Sequence, residues 1–253
     1  MTGPGPVTGR PQTVSGPASA WVFLGRAGTA MRTRDLLNRR AGHAAARDAV
    51  QAQLNDLVLN LAPLVADHRM FSVGTRADSA ETYLRRPDLG RLFSDEGAAM
   101  IRAEGTRAST VQIVICDGLS ARAVGTHAPK FIARFAELSQ QRNWLLGRIF
   151  AVRHARVGLM NEVGELLRPE VVLLLIGERP GLDSQSSMSA YFGFQPRRTH
   201  TDADRSLISN IHDDGITPVQ AAEEAVALIE RLRLSGTSGV SAVLSDHQRR
   251  RLG

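Results

Sequence analysis

An uninterrupted apolar run at residues 171–176 constrains the fold of this 253-residue chain more than any other feature. A run of Val, Leu and Ile bounded by Gly and Pro suits a strand that is buried on both faces, as in a parallel sheet covered by helices. A carboxylate and a guanidinium, Glu178 and Arg179, stand just past the end of this strand, after Gly177. Because open α/β sheets bind ligands in the crevice beyond the carboxyl ends of their strands, this junction is the first candidate site.

The chain beyond about residue 105 alternates strands with helices. Further strands are predicted at residues 111–116 and 148–153, with shorter ones at 191–194 and 208–211. Helices are predicted from about residue 121 to Gln141 and from the Thr217-Pro218 pair to Leu234, with Gly236 as the stop. This alternation predicts an α/β fold with a right-handed, mostly parallel sheet flanked by helices.

The N-terminal part has a different composition. Residues 1–20 are mostly Gly, Pro, Ser and Thr, which predicts a flexible tail. Residues 21–105 are predicted to be helical, with helix starts at Thr33 and Asp78 and a stop at Pro87. The expected organisation is therefore a tail (1–20), a helical N-terminal region (21–105) and an α/β domain (106–253).

The charge distribution argues against a nucleic-acid partner. The net charge is +6, but the arginines are scattered among 25 acidic residues and the only dense basic cluster is at residues 249–251. No helix-turn-helix, zinc or basic-aromatic motif is present. Arginine is also common at protein interfaces, so a protein partner stays open.

The chain has no apolar run of the roughly 18–20 residues that a membrane span needs, so no membrane partner is expected. The N-terminus lacks a signal-peptide pattern, which makes a cytoplasmic location the default expectation. The single cysteine, Cys116, ends an apolar run and is expected to be buried packing in a reducing compartment.

The parallel arrangement has a chemical consequence, because parallel strands point their carboxyl ends to one edge of the sheet. The turns after three predicted strands are expected to converge there and to bring together Asp117, Ser120, His154, Arg156, Glu178 and Arg179. Each also has an ordinary structural interpretation. Asp117 can cap the next helix, His154 can be a packed or surface histidine, and Glu178 and Arg179 can form a weak ion pair.

Motifs for self-contained catalysis are missing. The sequence has no GxGxxG after a strand, no GxxxxGK[ST] and no GxSxG, and no His, Cys and carboxylate cluster has the spacing of a metal site. The edge is therefore expected to hold a ligand without a catalytic set or a metal of its own.

A series of motifs, in order along the chain, resembles the small (light) subunit of ethanolamine ammonia-lyase. They are Leu24-Gly25-Arg26-Ala27-Gly28, Arg47-Asp48-Ala49-Val50, Arg86-Pro87-Asp88-Leu89-Gly90-Arg91, Asp117-Gly118-Leu119-Ser120, Ala155-Arg156-Val157, Val163-Gly164-Glu165-Leu166-Leu167, Ile176-Gly177-Glu178-Arg179-Pro180-Gly181-Leu182, and Asp204-Arg205 before Ile208-Ser209-Asn210-Ile211.

The resemblance implies an adenosylcobalamin-dependent lyase that converts ethanolamine to acetaldehyde and ammonia by radical chemistry. In this family the large subunit carries the substrate barrel and the catalytic residues, so none is expected in this chain, and cobalamin lies between the two subunits. The family's cofactor contacts in the small subunit match Val157 and Glu178. The family's third cofactor contact falls on Leu207, where relatives often have cysteine. Only a backbone or apolar contact is therefore expected at this position.

Two functions stay open at this stage. The first is the small subunit of a hetero-oligomeric lyase, with entry into a bacterial microcompartment undecided. The second is a stand-alone cobalamin-binding or carrier module. The Asp-x-His-x-x-Gly motif, in which histidine replaces the cofactor's own base on cobalt, is absent. Base-on cobalamin is therefore expected.

Overall fold

The computed structural model describes residues 26–27, 30–31, 70–179 and 186–242. The strands are β1 (Arg26–Ala27), β2 (Ala30–Met31), β3 (Phe71–Gly74), β4 (Val111–Cys116), β5 (Phe150–Arg153), β6 (Val171–Gly177), β7 (Met188–Phe194) and β8 (Ser206–Ile211). The α-helices are α1 (Ala80–Arg85), α2 (Asp95–Glu104), α3 (Ala121–Gln141), α4 (Met160–Leu167) and α5 (Pro218–Ser235). Short 3-10 turns lie at Leu89–Arg91, Val157–Leu159 and Asp202–Asp204.

Six of these strands form one mixed sheet in the order β3-β5-β4-β6-β7-β8. The first four are mutually parallel, and β7 and β8 continue the sheet in antiparallel pairings. The register places Cys116 of β4 beside Ile176 of β6 and Val152 of β5. The carboxyl ends of the three strands predicted most strongly therefore lie side by side, as expected for an α/β fold.

Helices cover both faces of the sheet. Strand β6 is buried at all seven positions because α3 and α5 pack on one face and α2 and α4 on the other. Phe131 and Phe135 of α3 fill the first layer, while Phe93 and Phe150 lie in the second. Burial on two faces explains why the β6 sequence is a continuous apolar run rather than an alternating one.

Side chains that cap the helices set their ends. The Ser120 hydroxyl accepts the Ala123 N–H at 3.2 Å and begins α3, and Thr217 forms a capping box with Gln220 at the start of α5. Helix α5 ends at Gly236, which has a φ of +67°. The N-cap of α1 is Ser79 and not the predicted Asp78. The helix ends at Arg85, just before Pro87, and this end agrees with the prediction.

The prediction that residues 21–105 are helical is wrong where strands lie inside this range. Strands β1 and β2 pair with each other there in antiparallel orientation. Strand β3 lies inside this range and pairs in parallel with β5, so the sheet begins before residue 106. With only four residues, Phe-Ser-Val-Gly, β3 has too little apolar periodicity to stand out in the sequence. The predicted tail and the helix beginning at Thr33 lie outside the described residues.

Other element bounds shift by a few residues. Strand β5 starts two residues later than predicted, while β7 starts three residues earlier and β8 two residues earlier. None of the helices in the described part of the chain combines the length and the apolar character needed to cross a membrane.

Candidate functional site

A cavity of about 250 Å³ opens at the carboxyl edge of the sheet, where the turns after β4, β5 and β6 meet. Three chain segments form most of its wall, and α1 and β7 complete it. The lining residues are Tyr83, Gly118, Leu119, Arg156, Val157, Ile176, Gly177, Glu178, Arg179, Ser189 and Tyr191. The expected convergence of polar side chains at this edge is therefore present for Arg156, Glu178 and Arg179.

Two glycines allow the turns after β4 and β6 to touch. Gly118 has a φ of +59°, and a Cβ there would lie 2.4 Å from the Gly177 carbonyl oxygen. A Cβ on Gly177 would lie 2.0 Å from the Ser120 carbonyl oxygen. The Leu119 N–H donates to the Gly177 carbonyl at 3.0 Å. This part of the wall is consequently bare backbone.

Asp117 does not cap α3, a role that belongs to Ser120. Its buried carboxylate accepts three backbone N–H groups, from Gly118 at 2.8 Å, His154 at 2.8 Å and Ala155 at 3.2 Å. Burial raises the pKa of Asp117, and these donors oppose that shift. Asp117 thus joins the turn after β4 to the turn after β5 and does not line the cavity.

His154 is a packed histidine. Its Nδ1 lies 2.9 Å from the Ala77 carbonyl oxygen, and its ring stacks on Tyr83 with 5.9 Å between centroids. Its φ of +57° turns the chain sharply after β5. It is not among the residues that line the cavity.

Tyr83 is a site residue that the sequence did not reveal. Its hydroxyl donates to the Ala155 carbonyl at 3.2 Å, and the Arg156 guanidinium lies over its ring at 4.0 Å from the centroid. An Arg156 terminal N–H also donates to the Tyr83 carbonyl at 3.0 Å. Nothing in the local pattern distinguishes Tyr83 from an ordinary core aromatic of an amphipathic helix.

Arg156 is held in this position with one donor unused. Its Nε is buried and has no hydrogen-bond partner within the described residues. A buried donor without an acceptor costs free energy, and the side chain that carries it belongs to the cavity wall.

Glu178 is half-buried beside Ser189 and Tyr191. Its Oε1 accepts a hydrogen bond from the Ser189 hydroxyl and one from the Asn210 N–H at 3.2 Å. Burial first, and then the Glu178 charge, raise the pKa of Tyr191. The structure shows no ion pair between Glu178 and the exposed Arg179, so that interpretation of the two residues is wrong.

The three residues matched to cofactor contacts do not all lie together. Val157 and Glu178 line the same cavity from different turns. Leu207 lies on β8, in register with Tyr191 of β7, and its side chain is 47% exposed. It lines a separate groove between β8 and α5.

The chain is similar to known proteins along most of its length. A family model described as ethanolamine ammonia-lyase light chain matches residues 12–242. The chain belongs to this family. It is 38% identical to the ethanolamine ammonia-lyase small subunit of Xanthomonas campestris pv. campestris (strain B100) over 86% of this chain and 82% of that protein. The small subunit of Clostridium acetobutylicum is 36% identical over 87% of this chain and 89% of that protein. The small subunit of Pseudomonas syringae pv. tomato is 35% identical over 91% of this chain and 85% of that protein.

As a member of the ethanolamine ammonia-lyase light-chain family, the chain is one subunit of an ammonia-lyase. Across the described ranges, no group of three or more His, Cys, Asp or Glu side chains is placed to hold a metal ion. The cavity at the sheet edge offers hydrogen-bonding groups, a backbone surface and one buried guanidinium. These are groups that bind and orient a ligand.

Proposed function

We propose that this chain is the small subunit of an adenosylcobalamin-dependent ethanolamine ammonia-lyase and helps to hold the cofactor against a large subunit. The complex would convert ethanolamine to acetaldehyde and ammonia. The observation that carries the proposal is that Val157 and Glu178, on turns 21 residues apart, line one cavity at the carboxyl edge of the sheet. That edge is the usual ligand position in open α/β sheets.

The wall of the cavity fits a cobalamin. Val157 and Ile176 offer apolar contact to a corrin, and Gly118 and Gly177 add backbone to the same wall. Glu178 can accept hydrogen bonds from amides or ribose hydroxyls, and the guanidinium of Arg156, which lines the same wall, can donate to a ligand acceptor. When bound, the cofactor supplies radical chemistry begun by homolysis of its cobalt–carbon bond, while the protein supplies position.

The same wall favours a cofactor whose lower cobalt ligand is its own base. No histidine is among the residues lining the described cavity, and His154 is turned to the Ala77 carbonyl. A base-on cofactor, which keeps its own base on cobalt, suits such a wall. Leu207 lies outside the cavity, so we propose at most a peripheral apolar contact there.

The size of the cavity favours a second chain. Pockets that enclose drug-sized ligands measure about 300–1,000 Å³, and a cobalamin is larger than such ligands. A cavity of about 250 Å³ can cover only part of it. The remaining cofactor surface would be covered by the large subunit, which is the partner that the name of the small subunit implies.

The test is a Glu178→Gln variant co-expressed with a candidate large subunit. The substitution keeps the shape of the side chain and removes its charge. Because a hydrogen bond to a charged group contributes about 1.5–3 kcal/mol, we expect cobalamin to bind about 10- to 100-fold more weakly. The mass of the complex, measured by light scattering, should not change. Glu96→Ala, which removes an exposed carboxylate on α2, is the matched control and should bind normally.

Two results would overturn the proposal. Unchanged cobalamin affinity in the Glu178→Gln complex would remove Glu178 from the site. Failure of the chain to copurify with the large subunit, combined with tight cobalamin binding by the chain alone, would favour the stand-alone carrier. Cofactor-dependent release of acetaldehyde from ethanolamine is expected only from the two-subunit complex.

A further inference from the structure

A second cavity has a volume of about 430 Å³. Its wall is adjacent in sequence to that of the first, since Val157 lines the first cavity and Gly158 lines the second. The charged and titratable side chains in the second wall are Arg91, Arg198, Arg205, His200, Glu162 and Asp202. Three arginines against two carboxylates leave the cavity with a positive excess.

Both carboxylates are already engaged. The Glu162 Oε2 accepts the Phe93 N–H at 2.6 Å, and Asp202 forms an ion pair with Arg205. The guanidinium groups of Arg91 and Arg198, in contrast, have no ion pair with any described residue. Their charge is therefore available to a ligand.

Gly158 and Arg91 both line the second cavity. A Cβ at Gly158 would lie 3.1 Å from the Cδ and Cγ atoms of Arg91, so the arginine stem lies across this glycine. The preceding turn is fixed, because the Arg156 N–H donates to the Gly90 carbonyl at 2.8 Å. The Arg91 stem consequently lies against Gly158, and the turn that carries it is bonded to Arg156.

Arg205 forms the inner wall. Its side chain is only 6% exposed, one terminal nitrogen pairs with Asp202, and another lies 3.5 Å from the Asn161 Oδ1. Its Nε is buried with no hydrogen-bond partner in the part of the chain that the structure describes. A buried cation with an unused donor raises the positive potential of the cavity and favours an anionic ligand.

We propose that this second cavity binds a phosphate group. Arginine suits phosphate because its planar fork donates two parallel hydrogen bonds. One source of the phosphate group rests on the proposed function. In that case the group is the phosphodiester that joins the nucleotide tail of cobalamin to its corrin. The other source of the same chemistry is free phosphate.

The experiment compares cobalamin with cobinamide, which lacks the nucleotide and its phosphodiester, in the assembled two-subunit complex. Binding is followed by the visible absorbance of the corrin, so that no turnover is needed. Arg91→Ala and the double variant Arg91→Ala/Arg198→Ala are compared with the wild type. Arg107→Ala is the matched control, because Arg107 is exposed and precedes β4 at the opposite edge of the sheet.

We expect Arg91→Ala to weaken cobalamin binding about tenfold, which corresponds to about 1.4 kcal/mol, and the double variant to weaken it further. Cobinamide affinity should be the same in all variants, and Arg107→Ala should match the wild type. A parallel titration adds inorganic phosphate to the corrin-free two-subunit complex and is followed by calorimetry. Phosphate binding that is lost in the double variant, without any selective loss of cobalamin, would support the phosphate site and assign it to free phosphate.

Other outcomes overturn the inference. If the wild type binds no phosphate, equal losses for cobalamin and cobinamide, or no loss of either, would exclude a phosphate site. Weaker association with the large subunit, without a change in either affinity, would show that the arginines meet acidic side chains of the partner instead. A wild-type complex that binds neither corrin would refute the proposed function, while the inorganic phosphate titration would still test the cavity.

Discussion

Gly118 and Gly236 form a matched pair that separates backbone strain from steric overlap. Both have a positive φ, +59° and +67°, but a Cβ on Gly118 would lie 2.4 Å from both the Gly177 oxygen and the Ile176 Cγ1, while Gly236 has nothing within 4 Å. Alanine in the left-handed region costs about 1–2 kcal/mol. At Gly118 an overpacking cost of about 1–3 kcal/mol is added.

We therefore expect Gly118→Ala to lower the free energy of unfolding by about 3 kcal/mol and Gly236→Ala by about 1 kcal/mol. For a chain of this size, each 1 kcal/mol corresponds to a shift of about 2–4 °C in Tm. Urea unfolding followed by circular dichroism measures both variants. Equal losses would refute the argument that close contact between the turns after β4 and β6 shapes the cavity wall.

Two further predictions concern buried groups. His127 of α3 is buried with its Nε2 2.9 Å from the Ser186 carbonyl oxygen, and burial lowers its pKa below the ordinary value of 6.5. Because the unfolded chain then binds the proton more tightly, the free energy of unfolding should fall as the pH drops below 6.5, and His127→Gln should flatten that dependence in urea titrations. Cys116 is fully buried in β4, and burial raises the pKa of its thiol. Thiol reagents should label it only as the protein unfolds in denaturant, and rapid labelling of the native protein would contradict its placement.

Much of the central sheet could be predicted because burial leaves a plain signal in sequence. Strand β4 and most of β6 are apolar runs, and their bounds agree with the predicted ones within one residue. Helix α5 was also predictable, since Thr217, Pro218 and Gly236 each favour a helix end for a local reason. Strand β3 was not, because four residues on a sheet edge owe their conformation to pairing with β5.

The site was predictable only in outline. Strand direction placed Val157 and Glu178 on one edge, and both line the cavity there. It could not reveal that Asp117 bonds to the next turn, that His154 packs on Tyr83, or that Tyr83 supports Arg156. These contacts join residues 37 to 73 positions apart, and such pairings are set by tertiary packing rather than by any local pattern.

The three backbone bonds that Asp117 accepts have a consequence for how a ligand would associate. They cross-link two neighbouring turns in the chain by itself, so the floor of the cavity is already ordered. A ligand arriving there loses little affinity to the freezing of loops, because that conformational entropy was lost during folding. Association at this edge should then resemble docking onto a rigid surface. Any large conformational change would take place in the partner chain that covers the ligand.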